Sequence, residues 1–216
     1  MNRDLQSIRR DYQFDDLTED KAGLDPLPLF DSWLEEAITA CPDDPTAMTL
    51  STVDAQGRPH GRVVLLKQRE DANFSFYTNY DSDKGQEIAT NDNVALTFFW
   101  PALSRQVRIE GKATKVARAT SESYFATRPK GSQIAASISR QSQVVSGREV
   151  LINEFAEKEN QYQDVDTLPC PVNWGGYSVA AERIEFWQGR PSRLHDRIVF
   201  EHDTATASWK RYRKAP

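Results

Sequence analysis

The chain has 216 residues, 38% hydrophobic and 27% charged, with a formal net charge of −5. That balance suits a folded globular protein and argues against a general nucleic-acid binder, since no basic tail or stripe offsets the acidic excess. No apolar run approaches the roughly 20 residues needed to span a bilayer, and the first residues lack a signal-peptide apolar stretch.

Residues 1–27 are polar, with Asp/Glu clusters and Pro26 near the end, and read as a flexible arm with one short helix around Leu5–Tyr12. Residues 28–216 read as a single domain. From Leu29 an apolar stripe at Phe30, Trp33, Leu34, Ala37 and Ile38 predicts an amphipathic helix ended by Cys41-Pro42. The period then changes to two. Ala47–Val53 and Pro59–Lys67 make a hairpin about Asp54–Gly57, and Phe74–Thr78, Asn93–Trp100 and Arg105–Val116 add three strands. Ser82–Thr90 reads as a short helix capped by Asp81 or Ser82.

Helical signals return at Thr120–Thr127, stopped by Arg128-Pro129, then near Ser132–Ile138 and across Arg148–Tyr162. Ser146 and Glu149 fit a capping box for the last of these. Pro169, Pro171 and Gly175-Gly176 read as a linker. Strands near Tyr177–Ala180, Arg183–Gln188, Arg197–His202 and Ala207–Tyr212 close the chain. Many short strands without βαβ alternation argue for a mainly β, α+β protein: an antiparallel barrel with peripheral helices. No Gly-x-Gly-x-x-Gly or Walker pattern supports a Rossmann or P-loop site. Cys41, Cys170 and the histidines His60, His195 and His202 suggest neither a disulfide framework nor a metal centre, and a reducing cytoplasm is the expected compartment.

Four stretches could carry chemistry. Arg62-Val-Val-Leu-Leu-Lys67 brackets an apolar run with two cations. They either cap the wet ends of a strand or capture anions, and on a regular strand they face opposite sides unless a bulge intervenes. Tyr77–Lys84 runs from a strand end into a helix start, a setting for phosphate that Asp81 and Asp83 oppose. Tyr124, Arg128 and Ser132 form either a phosphate clamp or an ordinary helix end with an arginine complementing the dipole. Ile184–Arg197 breaks at Gly189-Arg190-Pro191. If the residues after that break are extended, Arg193, His195 and Arg197 point to one side, as a solvated edge strand or as a wall facing a ligand.

Taken together these motifs resemble the pyridoxine/pyridoxamine 5′-phosphate oxidase family. The resemblance rests on Arg62–Lys67, Phe76–Asn79, Arg105-Gln-Val107, Arg128-Pro129 with Ser132-Gln-Ile134, Gln141-Ser142, and above all Glu185–Gly189 with Arg193–Arg197. It implies an FMN-binding split β-barrel of antiparallel Greek-key type, a homodimer with FMN at the subunit interface. By resemblance, Arg62 and Lys84 hold the FMN phosphate, helped by Gln141 and Ser142. Val63, Val64, Leu65, Leu66, Lys67, Tyr77, Thr78, Gln106, Trp187 and Arg197 resemble the rest of the flavin site. Lys67, Tyr124, Arg128 and Ser132 resemble the clamp on a substrate phosphate, and Arg193 and His195 the catalytic pair against its pyridine ring. Arg9 to Tyr12 resembles a segment that closes over substrate.

The implied reaction oxidises C4′ of a phosphorylated B6 vitamer to the aldehyde, with hydride transfer to flavin N5 and reoxidation by O2 to hydrogen peroxide. No metal, nucleic acid or membrane enters it. One departure is Asp83, where the family often carries a second arginine; a carboxylate there is expected to face solvent. Gln143, where a second serine is common, is tolerable. The alternatives are a non-catalytic binder of FMN or pyridoxal 5′-phosphate, and a flavin reductase or oxidase with another substrate on the same barrel.

Overall fold

The computed structural model describes Asp4, Tyr12 and residues 15–216. The expected helix at Leu5–Tyr12 and the candidate Arg9 lie outside the described residues. The described chain forms six α-helices and nine strands. Asp25 caps α2 (Pro26–Ala40), its carboxylate accepting from Leu27 N–H with Pro26 in the first turn, so this helix begins before Leu29. Phe30, Trp33 and Ala37 face inward, whereas Ile38, expected on the same stripe, is 51% exposed. Ahead of it, within the stretch expected to be an arm, lies α1 (Glu19–Ala22), capped by Thr18. Leu17 and Ala22 are buried there, and Arg213 pairs with Glu19 at 2.8 Å.

The strands are β1 (Ala47–Val53), β2 (Pro59–Leu65), β3 (Gln68–Glu70), β4 (Asn73–Asn79), β5 (Asn93–Trp100), β6 (Arg105–Lys115), β7 (Trp174–Gln188), β8 (Asp196–Asp203) and β9 (Ser208–Arg213). They join one sheet in the order β2-β1-β5-β6-β7-β4-β3, with β8 on β7 and β9 on β8. The remaining helices are α3 (Asp83–Thr90), α4 (Arg118–Thr127), α5 (Lys130–Ile138) and α6 (Arg148–Gln161). The capping box expected for α6 is not formed: Gly147 occupies the cap position and no side chain bonds there.

By internal contacts the chain divides into two compact units. One comprises Met1–Thr49, Ala95–Glu110 and Ala181–Pro216; the other Leu50–Val94 and Gly111–Ala180. The first has a core rich in aromatic pairs: Phe30 on Phe98 at 5.4 Å, Trp33 on Phe186 at 5.3 Å and Phe186 on Phe200 at 5.9 Å, all edge-to-face. In it β7 pairs antiparallel with β8 from Arg183↔Glu201 to Gln188↔Asp196, and β8 with β9.

In the second unit β4 pairs antiparallel with β7 from Asn73↔Ala180 to Asn79↔Trp174. The glycines read as a linker, Gly175 and Gly176, are therefore inside one continuous strand, where two separate strands were expected. Their role is close approach: a Cβ on Gly175 would stand 2.2 Å from the Tyr80 hydroxyl. That hydroxyl donates to Gly176 C=O at 3.0 Å. Phe125, Ile134, Leu168 and Trp174 form a buried cluster beneath α4 and α5, joined by Tyr77, Tyr124 and Phe155.

Candidate active site

The second unit contains a cavity of about 650 Å³. Into its wall the fold brings Arg62, Val63, Val64, Leu65, Lys67, Tyr77, Thr78, Lys84, Tyr124, Arg128 and Gln141. Arg62 and Lys67 share this cavity although a regular strand would oppose them. The reason is that β2 ends at Leu65; Leu66 turns into the core at 6% exposure, and Lys67 N–H donates to Ser75 C=O at 2.8 Å. Leu66 is thereby not in the cavity wall. Ser132, in the first turn of α5, and Ser142, exposed with φ +72°, are also not in the wall.

Asn79, Ala135, Ala136, Ser139 and Trp174 also line the cavity, beyond the expected set. Asn79 ends the Phe76–Asn79 motif. Trp174 has no sequence signal beyond standing before Gly175-Gly176.

The electrostatics are one-sided. Among the described residues four cations stand in the wall, Arg62, Lys67, Lys84 and Arg128, and no carboxylate does. Lys84 is buried and donates to Gln141 Oε1 at 2.8 Å and to Ser82 Oγ at 3.3 Å; Gln141 Oε1 also accepts from Thr78 Oγ1 at 3.2 Å. Burial, and then the nearby Arg62, push the Lys84 ammonium below its ordinary pKa. Asp83, at the start of the same helix, is exposed as expected.

Arg128 lies over the Trp174 ring at 4.8 Å and over Phe125 at 5.6 Å. Its NH1 is buried without a hydrogen-bond partner among the described residues, and burial depresses its pKa. A desolvated guanidinium nitrogen with no acceptor is costly unless a ligand supplies one. Tyr77 stacks on Tyr124 at 4.0 Å and on Trp174 at 5.4 Å, and burial raises both tyrosine pKa values, keeping the hydroxyls as neutral donors. The donors and rings fit a phosphorylated aromatic ligand. No carboxylate in the wall would repel it.

The other candidates sit in the first unit. Gln106 is half-buried on β6. Trp187, near the end of β7, has its ring 4.8 Å from His195 and 5.7 Å from Tyr12, whose ring is also 5.4 Å from His195. The expected alternation of Arg193, His195 and Arg197 along one strand is not observed. Residues 191–193 form a 3₁₀ turn, Ser192 and Arg193 have φ of +57° and +61°, and β8 starts only at Asp196.

His195 Nδ1 accepts the Arg190 backbone N–H at 2.9 Å, so in the neutral ring the proton belongs on Nε2. Burial and then the nearby Arg193 lower its pKa, against a smaller opposing pull from Asp196. Arg193 itself is exposed. Arg197 gives Nε and NH2 to Glu185 Oε1 at 3.0 and 2.8 Å, while Arg183 holds Glu185 Oε2 at 2.8 Å. Burial raises the Glu185 pKa, but the two arginines outweigh it and the net shift is downward. Among the described residues no three His, Cys, Asp or Glu cluster as metal ligands, and no helix is long and apolar enough to cross a membrane.

A mostly antiparallel sheet flanked by helices, with a cationic and aromatic cavity, defines a class: a β protein whose cavity fits a small anionic, ring-bearing molecule. Comparison with known proteins narrows it. Residues 34–162 match the family model described as pyridoxamine 5′-phosphate oxidase, and residues 174–216 the pyridoxine 5′-phosphate oxidase C-terminal dimerisation region. A pyridoxine/pyridoxamine 5′-phosphate oxidase of Leptospira interrogans is 50% identical over 216 residues, covering 100% of both chains. One from Pseudomonas paraeruginosa is 47% identical over 218 residues, again covering 100% of each.

Among solved structures, PhzG from Burkholderia lata, in complex with tetrahydrophenazine-1-carboxylic acid, is 28% identical. It superposes with a TM-score of 0.86 over 94% of this chain and 99% of that one. The chain belongs to the pyridoxine/pyridoxamine 5′-phosphate oxidase family and is an oxidoreductase with that family's mainly β, helix-flanked split-barrel fold. The match to the dimerisation region indicates a homodimer.

Proposed function

We propose that this protein oxidises pyridoxamine 5′-phosphate and pyridoxine 5′-phosphate to pyridoxal 5′-phosphate in the cytoplasm. The observation that supports this most is the cavity, whose wall among the described residues carries four cations and no carboxylate, with Glu87 behind Arg62 and with Arg128 NH1 lacking a hydrogen-bond partner. Two phosphate groups, one on the cofactor and one on the substrate, would balance those charges. The cofactor is FMN, bound at the subunit interface of the homodimer. When bound it would supply a hydride acceptor for C4′ and reoxidation by O2 to hydrogen peroxide.

Arg62 and Lys84, with Gln141 bridging Lys84 and Thr78, hold the cofactor phosphate. Arg128, Tyr124 and Lys67 hold the substrate phosphate, binding energy remote from C4′ that fixes the reacting carbon. Tyr77 and Trp174 stiffen that end by stacking. Gln106, Trp187 and Arg197 are assigned to the flavin, and Arg193 to orienting the substrate and polarising the C4′ substituent. Ser132 and Ser142 stand outside the cavity wall and are given no direct part.

His195 presents Nε2–H as a donor, because Nδ1 is occupied by a backbone N–H. It assists by hydrogen bonding, and His195→Ala should lower kcat without abolishing turnover. Loss as complete as that caused by removing the flavin would instead make it an obligatory base.

Anaerobic addition of pyridoxamine 5′-phosphate to the yellow protein tests the proposal. Bleaching of the flavin band, followed by peroxide release on admitting air, is the expected result. An unchanged oxidised spectrum would assign the protein to non-catalytic binding, and bleaching only by other donors to a different oxidase or reductase.

A further inference from the structure

Glu87 is a buried carboxylate that the reaction does not use, at 8% exposure on the same helix as Lys84. A negative charge behind a phosphate site is unfavourable unless it does something for the cations in front of it. Its Oε2 accepts from Arg62 NH2 at 2.9 Å and from the Thr52 hydroxyl, which in turn accepts from Arg62 NH1. Arg62 NH1 also points at the carbonyls of Leu50 and His60, at 3.4 and 3.5 Å.

The guanidinium has five N–H donors in a planar fork. Glu87 and Thr52 together occupy its end-on edge, formed by NH1 and NH2. The side-on edge, Nε–H with the second hydrogen of NH2, has no partner among the described residues, and Arg62 is in the cavity wall. That free edge is the shape that grips two phosphate oxygens at once.

We infer that Glu87 is a positioning residue: with Thr52 it locks the end-on edge of Arg62, so that the side-on edge is presented ready-made to the phosphate of FMN. The inference rests on the reading of Arg62 as a phosphate ligand. It accounts for an acid standing beside Arg62 and Lys84, where by charge alone it weakens anion binding. Without it, the flexible Arg62 side chain would have to be ordered when the ligand binds, and the locked fork avoids that loss.

The test compares two neutral replacements of nearly equal length, Glu87→Gln and Glu87→Met, in the full-length, flavin-free protein. Glutamine keeps an acceptor oxygen for Arg62 and Thr52; methionine keeps the bulk but no such acceptor. Dissociation constants are measured by flavin fluorescence for FMN and for riboflavin, which lacks the phosphate. FMN should bind about tenfold more weakly to the Met variant than to the Gln variant, the scale of one charge-assisted hydrogen bond, while riboflavin binds both alike.

Equal FMN affinity in the two variants would overturn the inference. So would a riboflavin loss as large as the FMN loss, which would mean general damage to the site. Glu87→Ala repeats the comparison if methionine does not fold. Wild-type protein that binds FMN no better than riboflavin would instead overturn the reading of Arg62 as a phosphate ligand, and the inference with it.

Discussion

The Glu185 cluster of the first unit and the cavity of the second use their cations differently. Around Glu185 in the first unit, Arg183 and Arg197 both pair with one carboxylate that is 2% exposed, and Arg183 also reaches Glu110 at 2.7 Å. Nearby Arg213 is divided between Glu19 at 2.8 Å and Asp196 at 2.7 Å. In the cavity of the second unit, among the described residues, no carboxylate lines the wall, Lys84 leans on a neutral glutamine, and Arg128 has a buried nitrogen without a hydrogen-bond partner. Arg183 is structural, held on both sides by carboxylates, and Arg128 is poised for a ligand; Arg62 lies between, one edge fixed by Glu87 and the other open to the cavity. Removing the buried carboxylate from the Arg183 cluster should therefore cost stability, and removing Arg128 should cost binding.

The largest effect should come from breaking the paired cluster. Glu185→Ala leaves Arg183 and Arg197 without their buried counter-ion and should cost about 3 kcal/mol of stability, read from the urea midpoint. An unchanged midpoint would dissolve the contrast. Arg128→Met should behave in the reverse sense. Stability should hold or rise, because the desolvated cation is removed. KM for the phosphorylated vitamers should rise about 100-fold, with turnover of an unphosphorylated vitamer unaffected.

Trp174→Leu sharpens the comparison further. It removes the ring under Arg128, and a loss of about 1 kcal/mol of cation–π contact should raise the same KM about fivefold. The smallest effect is local and pH-dependent. The Arg213 hydrogen bond to Glu19 holds its carboxyl at about 2, against an ordinary 4.5. Because this pKa is lowered on folding, the contribution is present above pH 4.5 and fades as pH falls toward 2. Amide protection in α1, corrected for the intrinsic pH dependence of exchange, should fall as pH drops across that window, and Glu19→Gln should remove this change.

Much of the molecule is legible in the order of its residues. The stripe Phe30, Trp33, Ala37, the hairpin about Asp54–Gly57 and the Ser82 cap of α3 are local signals, set by period and by short side chains next to free N–H groups. The cationic stretches at Arg62–Lys67 and Tyr124–Arg128 are recognisable as motifs. Their sharing of one cavity is not, because it depends on where β2 stops and on how Leu66 is buried.

Tertiary contacts decide the rest. Gly175 and Gly176 read as a linker because glycine carries no pattern; the nearness of Tyr80 makes them part of β7. Arg193 and His195 have the alternation of a strand, but positive φ at Ser192 and Arg193, which neither residue type announces, turns the chain instead. Trp174 and Glu87 cannot be found from spacing at all. One is in the cavity wall and the other behind Arg62 only because residues far apart in the chain are packed together. Periodicity encodes which face of an element is buried; what meets that face is set by long-range packing.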